Sequence, residues 1–572
     1  PDSVASDRFS IDFDVETFEA DDNELKDFCA GDLATDSGGE SGDYPDNANE
    51  IISICPDNPG DNVVINFSKF SFEYNSVSGG CFDGLTVYDG DDITDSITID
   101  PPSGGSKWCW DRDKNPAEGS GDLLGVSIAA TSASGCITLE LNSDGSVTRE
   151  GFVASVTCES TVYLWDGTAW TTTPEGNITA SDNLYANSGS PASLDSSILV
   201  NSAFIDNGAT LITNSGDLNI DENLNNYGSI TGSGDVAMNG PAGQSIIGSG
   251  TISNLTIDNG NSVNIDGKQD LTGILSLTNG DINVASNGNL TFRSDASGTA
   301  QLANANGNSI TGDVTVERFI PAGDNNLRAF RFLSTAVDSN GTIKDNWQEG
   351  ATSNTDDPNP GFGTHITGTS AADGTNGFDA TGSGQASLLV FDNTFDPNSD
   401  GWSPISDTDP TKLKAGNAYN LFVRGDRSID LTLDSDNQTP TNTTLRSTGT
   451  LDTGSLTTGI DLPALADGPS EWSFIGNPYQ AIVDITQVLN ATNSNNLNTN
   501  FYWVWDPNLS GQGAYVTVDL SDGSNNFASS DANEFVQPGQ SFFVQNPSTA
   551  GTNDLTFTES AKDVTETSTQ VF

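Results

Sequence analysis

A single side chain in this 572-residue sequence can act as an imidazole base, His365, within Gly363-Thr364-His365-Ile366-Thr367-Gly368. Nucleophilic catalysis of the Ser-His-Asp or Cys-His kind needs such a base beside its nucleophile. In a Gly/Thr-rich stretch the expectation is instead a hydrogen-bonded surface or turn histidine. The six cysteines, Cys29, Cys55, Cys81, Cys109, Cys136 and Cys158, all precede residue 159. An even number in one compact segment reads as three disulfides formed in an oxidising compartment. Zinc is the competing chemistry, but no pair has C-x2-C to C-x4-C spacing and His365 is remote.

Carboxylates are the other reactive population. A glycoside hydrolase needs two facing carboxyl groups roughly 5 to 10 Å apart. Asp217, Asp221, Glu222, Asp235, Asp258, Asp266 and Asp281 are the candidates, all in turn-like contexts where Asp commonly serves the backbone. A lyase for acidic sugars needs a base, and between 182 and 312 only Lys268 and Arg293 are basic. The chain is therefore expected not to be an enzyme. The segment Asp396-Pro397-Asn398-Ser399-Asp400-Gly401, with Asp407 at the twelfth position, copies a calcium-loop spacing. Helices should flank such a loop; strand-like neighbours favour an Asp/Asn/Gly turn. Arg318, Arg328, Arg331, Arg424 and Arg427 suit planar, bidentate pairing with carboxylates, so internal ion pairs are expected of them, or docking of an acidic neighbour.

The scaffold that must position these groups is read from composition. Eighty acidic residues against 19 basic ones give a formal charge of -61. Such a field repels phosphate backbones and anionic lipid, which excludes nucleic acid as a partner, and concentrates divalent cations. It also suits solubility in salty water. Sixty glycines and an apolar fraction of 34% favour short strands joined by tight turns, and helical periodicity is almost absent. The fold class expected is all-β. No apolar run approaches the length of a membrane span. A start at Pro1, without Met or an apolar leader, fits a mature exported chain.

Along the chain, 1–28 is acidic and carries Phe9, Ile11, Phe13 and Val15 in alternation with polar residues, a two-sided strand. These four apolar groups either complete the chain's own neighbouring sheet or add to the sheet of another copy, which would give a polymer. Residues 29–158 hold the cysteines and several strand-like runs. In 159–181, Trp165-Asp166-Gly167-Thr168-Ala169-Trp170 reads as a connector or cap. From 182 to 312, short apolar beats alternate with Asn-Gly, Asp-Gly and Ser-Gly turns, indicating a solenoid of parallel strands. A meander of hairpins is the alternative. Residues 313–572 recover aromatics and bases, and read as one or two β-sandwiches.

Two resemblances add to this. Cys55-Pro56-Asp57, Asn62 to Phe67, Phe70-Ser71-Phe72-Glu73, Cys81-Phe82-Asp83-Gly84-Leu85-Thr86-Val87-Tyr88-Asp89-Gly90, Ser143-Asp144-Gly145-Ser146 and Gly151-Phe152 resemble a CUB domain in the variant found in surface proteins of Bacteroidota. The resemblance implies a disulfide-bonded β-sandwich with pairs Cys29–Cys55, Cys81–Cys109 and Cys136–Cys158, although Cys55 lies a few residues later than the second cysteine usually does. It also implies a calcium site made of Glu73, Asp83 and Asp144, with Ser146 contributing nearby oxygen. In the last segment, Val316 to Ala322, Arg328 to Leu333, Asn346-Trp347-Gln348-Glu349-Gly350, Gly476-Asn477-Pro478-Tyr479-Gln480 and Gln537-Pro538-Gly539-Gln540 resemble a module of large secreted Bacteroidota proteins. That implies export by the type IX system, with a sorting domain cleaved or lying outside this chain. The expectation is an extracellular, surface-located structural or adhesive protein with calcium as its cofactor. Its partners would be copies of itself or surface glycans and proteins. A calcium-dependent carbohydrate-binding adhesin is one alternative, and a solenoid polysaccharide-degrading enzyme a remoter one.

Overall fold

The computed structural model describes residues 33–566 except 57–61, 78, 95, 115, 133, 160–161, 172, 179, 181, 286–288, 323–327, 370–373, 395–399, 434–438, 491, 511–512 and 550. The strand expected at Phe9, Ile11, Phe13 and Val15 lies outside these residues, as does Cys29. The fold is nearly all β, with a parallel solenoid of about 7 turns and antiparallel sheets elsewhere. Two compact units are distinguished, and the division falls inside the solenoid sequence, at Asp235 and Val236, with 246–251 belonging to the first unit.

The first unit begins with twelve strands, ten in the two sheets of a sandwich and β4 and β5 paired apart: β1 (Leu33–Thr35), β2 (Asn49–Ile54), β3 (Asn62–Ser71), β4 (Tyr74–Asn75), β5 (Gly80–Cys81), β6 (Gly84–Asp89), β7 (Ile97–Ile99), β8 (Lys107–Asp111), β9 (Glu118–Gly121), β10 (Ser127–Ala129), β11 (Ile137–Asn142) and β12 (Gly151–Glu159). One sheet has the order β1-β12-β3-β10 and the other β2-β11-β6-β8-β9, with β7 on β6. Alternation along β3 sends Val63, Ile65 and Phe67 into the core between the sheets, with Leu85, Val87, Leu139, Leu141 and Phe152. Val64, on the opposite face, joins Ala129 against Leu164, Tyr185 and Phe204 of the solenoid's first coils. This is why β3 reads as a nearly continuous apolar run: both of its faces are covered.

The disulfides depart from the pairing implied by the CUB resemblance. Cys81–Cys109 is present, but Cys55 is joined to Cys136, with Cα atoms 4.2 Å apart, and not to Cys29. The register of β2 on β11 is the cause. Ile54 lies opposite Ile137, so the residues just beyond them, Cys55 and Cys136, meet at the end of the ladder. Cys136–Cys158 is excluded by the same bond. Cys158 is itself disulfide-bonded.

Parallel pairing begins with Val162–Trp165 on Asn183–Ala186, so the stretch expected to be a connector supplies a first rung. Leu184 stacks on Ala203, and Ala203 on Leu224. The hairpin alternative is thereby excluded for these coils. Side chains tie coil to coil: Asn183 Oδ1 accepts from the backbone N–H of Ser202 (2.9 Å), and Asp217 from that of Asp235 (3.0 Å). Asn and Asp are thus ladder residues here, satisfying backbone donors that turns expose.

In the second unit, parallel rungs run through Leu255–Asp258, Ile274–Asn279 and Gln301–Leu302. Val314–Ile320 pairs in parallel with Asn289–Phe292 and antiparallel with Thr443–Leu451, so one strand ends the solenoid and opens the next region. Beyond it lie two four-stranded antiparallel sheets. One is built from Ala329–Leu333, Tyr419–Val423, Leu388–Phe391 and Trp402–Pro404, the other from Trp472–Gly476, Ser541–Gln545, Phe501–Asp506 and Ala514–Asp519. Each has its own core, around Trp347 and Leu421 in one case and Tyr502 and Phe542 in the other.

Candidate metal centre

Three loops at one end of the first sandwich bring carboxylates together. Glu73 follows β3, Asp83 precedes β6 and Asp144 follows β11, and one ligand oxygen from each lies within 4.8 Å of the others. It is the one group of three or more His, Cys, Asp or Glu found this close among the described residues. Asp83 is only 1% exposed. Its two oxygens accept from the Tyr44 hydroxyl (2.8 Å) and the Asp144 backbone N–H (2.6 Å). Tyr44 also accepts from the Glu73 N–H at 3.4 Å, and its ring stacks on Phe72 at 5.0 Å. The tyrosine thus anchors two of the three loops. Nothing in the sequence singled it out beyond its place in a Gly/Asp/Pro turn.

Burial, then the neighbouring carboxylates, push both Glu73 and Asp83 above the ordinary carboxylic range. No Lys or Arg forms an ion pair with any of the three among the described residues. Arg149 exerts a field on Glu73, yet its guanidinium is spent on Asp111, at 2.9 and 3.1 Å. Three hard oxygen donors, no sulfur or imidazole and no resident base make a set that fits calcium, whose charge would offset their mutual repulsion. Ser146, placed in this set by resemblance, is exposed, and its N–H (2.9 Å) and hydroxyl (3.4 Å) both donate to Asp144 Oδ1. Its visible role is to orient Asp144.

The other candidates do other things. Asp396 and Asn398 lie outside the described residues, while Asp400 accepts from the Trp402 N–H and Asp407 from the Asp409 N–H, as turn residues do. Strand Leu388–Phe391 precedes this segment and its antiparallel partner Trp402–Pro404 lies inside it, so the helices of a calcium-loop motif do not flank it. The solenoid carboxylates include structural acceptors: Asp281 receives the N–H (2.6 Å) and hydroxyl (3.0 Å) of Ser309.

His365, expected on a surface or turn, is fully buried. Its Nε2 lies 3.1 Å from the Arg427 carbonyl and 2.8 Å from that of Ile429, and its Nδ1 lies 3.4 Å from Asp379. Of the arginines, Arg427 makes the expected internal pair, reaching both Asp379 oxygens at 3.0 and 2.8 Å. Arg318 and Arg331 are buried, and desolvation lowers both, Arg331 to about 10. Arg424 stands over the Phe422 ring at 4.9 Å.

No protein-family model matches the chain, and no curated protein matches it. Among solved structures, the full extracellular region of zebrafish Gpr126/Adgrg6 is similar over 23% of this chain, at 21% identity and a TM-score of 0.16. The match spans 14% of that protein, a likeness too slight to indicate fold or function. No described helix is long and apolar enough to cross a membrane.

Proposed function

We propose that the chain is an extracellular adhesive protein in which calcium, held by Glu73, Asp83 and Asp144, sets the loops at one end of the first sandwich for contact with a surface. The observation that carries this is the convergence of three carboxylates, one oxygen of each within 4.8 Å of the others. A bound cation would join loops from three separate strand ends, making them rigid and their common surface a defined one. The ladder-tied solenoid suits a spacer, and Asp217 and Asp281 within it accept backbone N–H groups of the next coil. The disulfides fit an oxidising compartment. Export by the type IX system belongs to the same proposal, as do surface glycans, surface proteins or further copies of the chain as partners.

Calorimetric titration of calcium chloride into the full chain tests it. One site is expected, lost in Asp144→Ala, together with cell-surface attachment that a chelator reverses. Equal calcium binding by wild type and Asp144→Ala, or attachment indifferent to chelator, would reject it.

A further inference from the structure

We infer that a cleft in the first unit, between β8–β9 and the first solenoid coils, binds a neutral glycan. Its volume is about 640 Å³, inside the ~300–1,000 Å³ usual for small-ligand sites. One wall presents Trp108 and Trp110, two residues apart on β8; Asn187 and Asp206, from the coils, line the other. The cleft shares no residue with the carboxylate cluster.

The walls are fixed before any ligand arrives. Tyr185 stacks on Phe204 at 4.6 Å, inside the apolar cluster that includes Val64 and Ala129 of the sandwich. The Ser127 N–H donates to Asp206 Oδ1 at 2.6 Å. Gly125, at a φ of +73°, leaves space that the Tyr227 ring fills, since a Cβ there would lie 2.2 Å from it. Preorganisation of this kind lowers the entropic cost of binding.

One polar group in the cleft is unfinished. Asn187 Oδ1 is buried without a hydrogen-bond partner. Asp206 beside it is buried; burial raises its carboxyl, which accepts from the Ser127 N–H and as a neutral acid would offer a proton of its own. A buried acceptor left unmade is costly, so Asn187 calls for a donor from a ligand, and a group that both donates and accepts suits Asn187 and Asp206 together. The lining contains several aspartates and no Lys, Arg or His, which opposes an anionic ligand. Most of those carboxylates already serve their own loops: Asp89 accepts from Thr131 and Ser132, Asp122 from Arg112, and Asp166 from Thr168 and Ala169. What remains on offer is the half-buried Trp110 indole beside Asn187 and Asp206. A sugar ring matches it, with a C–H face for the Trp110 indole and hydroxyls, each both donor and acceptor, for Asn187 and Asp206.

This gives the adhesive reading a ligand class and rests on that reading for its biological use alone. The full-length chain, on an array of neutral, sulfated and sialylated oligosaccharides, with calcium and with chelator, separates the two. Neutral oligosaccharides are expected to bind, with a change in tryptophan fluorescence. Binding should weaken tenfold or more in Trp110→Ala and in Asn187→Ala, with calcium titration unchanged, and persist in Asp144→Ala. The second variant guards against misfolding of the first, because Trp110 also packs on the sandwich core. Binding restricted to anionic glycans, binding of quaternary amines in place of sugars, no glycan binding, or retention in Asn187→Ala would each overturn the inference. Loss of calcium binding by the wild type would count against the metal site and leave the cleft standing.

Discussion

Two buried carboxylate sites treat charge in opposite ways. In the second unit, Asp379 receives two hydrogen bonds from Arg427, one from Gln348 at 3.1 Å and one from the Ile366 N–H at 3.0 Å, with His365 beside it. Burial alone would raise its carboxyl, yet the hydrogen bonds from His365 and Arg427 hold it at about 2. In the first unit, Asp83 is also buried but has no ion-pair partner among the described residues; burial and the Asp144 charge raise it against the Asp144 N–H, the Tyr44 hydroxyl and the field of Lys107. The lesson is that the chain supplies a cation of its own where the charge only has to hold loops together. Where none is hydrogen-bonded in place, as at Glu73, Asp83 and Asp144, the carboxylates form a set that an external divalent cation would fit.

The most severe way to break the comparison is to remove the resident cation. Arg427→Met leaves Asp379 charged and buried and strands the carbonyls of Asp356, Ser353 and Thr364 that the guanidinium serves. Breaking a buried pair from one side typically costs ~3–5 kcal/mol. Denaturant unfolding of the full chain at neutral pH should show a loss of that order, with faster hydrogen exchange in the second unit. A loss below about 1 kcal/mol would make the pair equivalent to an exposed one. At the other site the sign inverts. Asp83→Asn in chelator should be neutral or stabilising, because it removes a like charge. It should abolish the gain from calcium, which for a single native-state site is ~2.7 kcal/mol at one hundred times the dissociation constant. Destabilisation in chelator comparable to that of Arg427→Met would break the contrast.

Acid titration sharpens it further. Asp379 has a depressed folded pKa, so its stabilisation is complete above the ordinary Asp value of about 3.9 and is lost as pH falls toward about 2. Glu73 and Asp83 have raised folded values, so the folded state binds protons first and stability grows as pH drops through that window. Asp36, raised to about 7 by burial, despite backbone N–H groups from Phe152 and Gly38, acts in the same direction. In chelator, melting followed from pH 7 to 4 should show the first unit gaining stability, and from pH 4 to 2 the second unit losing it. Calcium should flatten the first trend. Parallel behaviour of the two units would contradict the assignment.

Much of this architecture was legible because its signals are local. The apolar run from Val63 to Phe67, Asn-Gly punctuation between 182 and 312, and aromatic runs such as Phe501 to Trp505 each specify strands without reference to distant residues. Glu73, Asp83 and Asp144 were legible through motif resemblance, which carries long-range information that composition lacks. What escaped depends on register and burial. Cys55 meets Cys136 because β2 pairs with β11, and no spacing rule encodes that. His365 sits in a Gly/Thr stretch that looks exposed, but Arg427, more than sixty residues later, closes over it and Asp379. Tyr44 and Asn187 gain their significance from neighbours that the fold alone brings close.

The smallest expected effect concerns Ser146, where the resemblance and the geometry part. As a ligand its hydroxyl would face the cation. Instead it donates at 3.4 Å to Asp144 Oδ1, an oxygen that also receives the Ser146 N–H at the better distance of 2.9 Å. Removing the hydroxyl leaves the backbone bond, and hence the position of Asp144, in place. A long, exposed hydrogen bond belongs at the low end of the ~0.5–1.5 kcal/mol range, so Ser146→Ala should weaken calcium binding by about twofold to threefold in the titration that Asp144→Ala abolishes. The two substitutions lie two residues apart in one loop and differ in whether they remove a carboxylate or a group that steadies one. If Ser146→Ala proved as damaging as Asp144→Ala, the hydroxyl would have to turn inward on binding, and the loop after β11 would rearrange around the metal. A small effect would mean that the loop is already set, with the Ser146 N–H fixing Asp144 and the three carboxylates alone making the site.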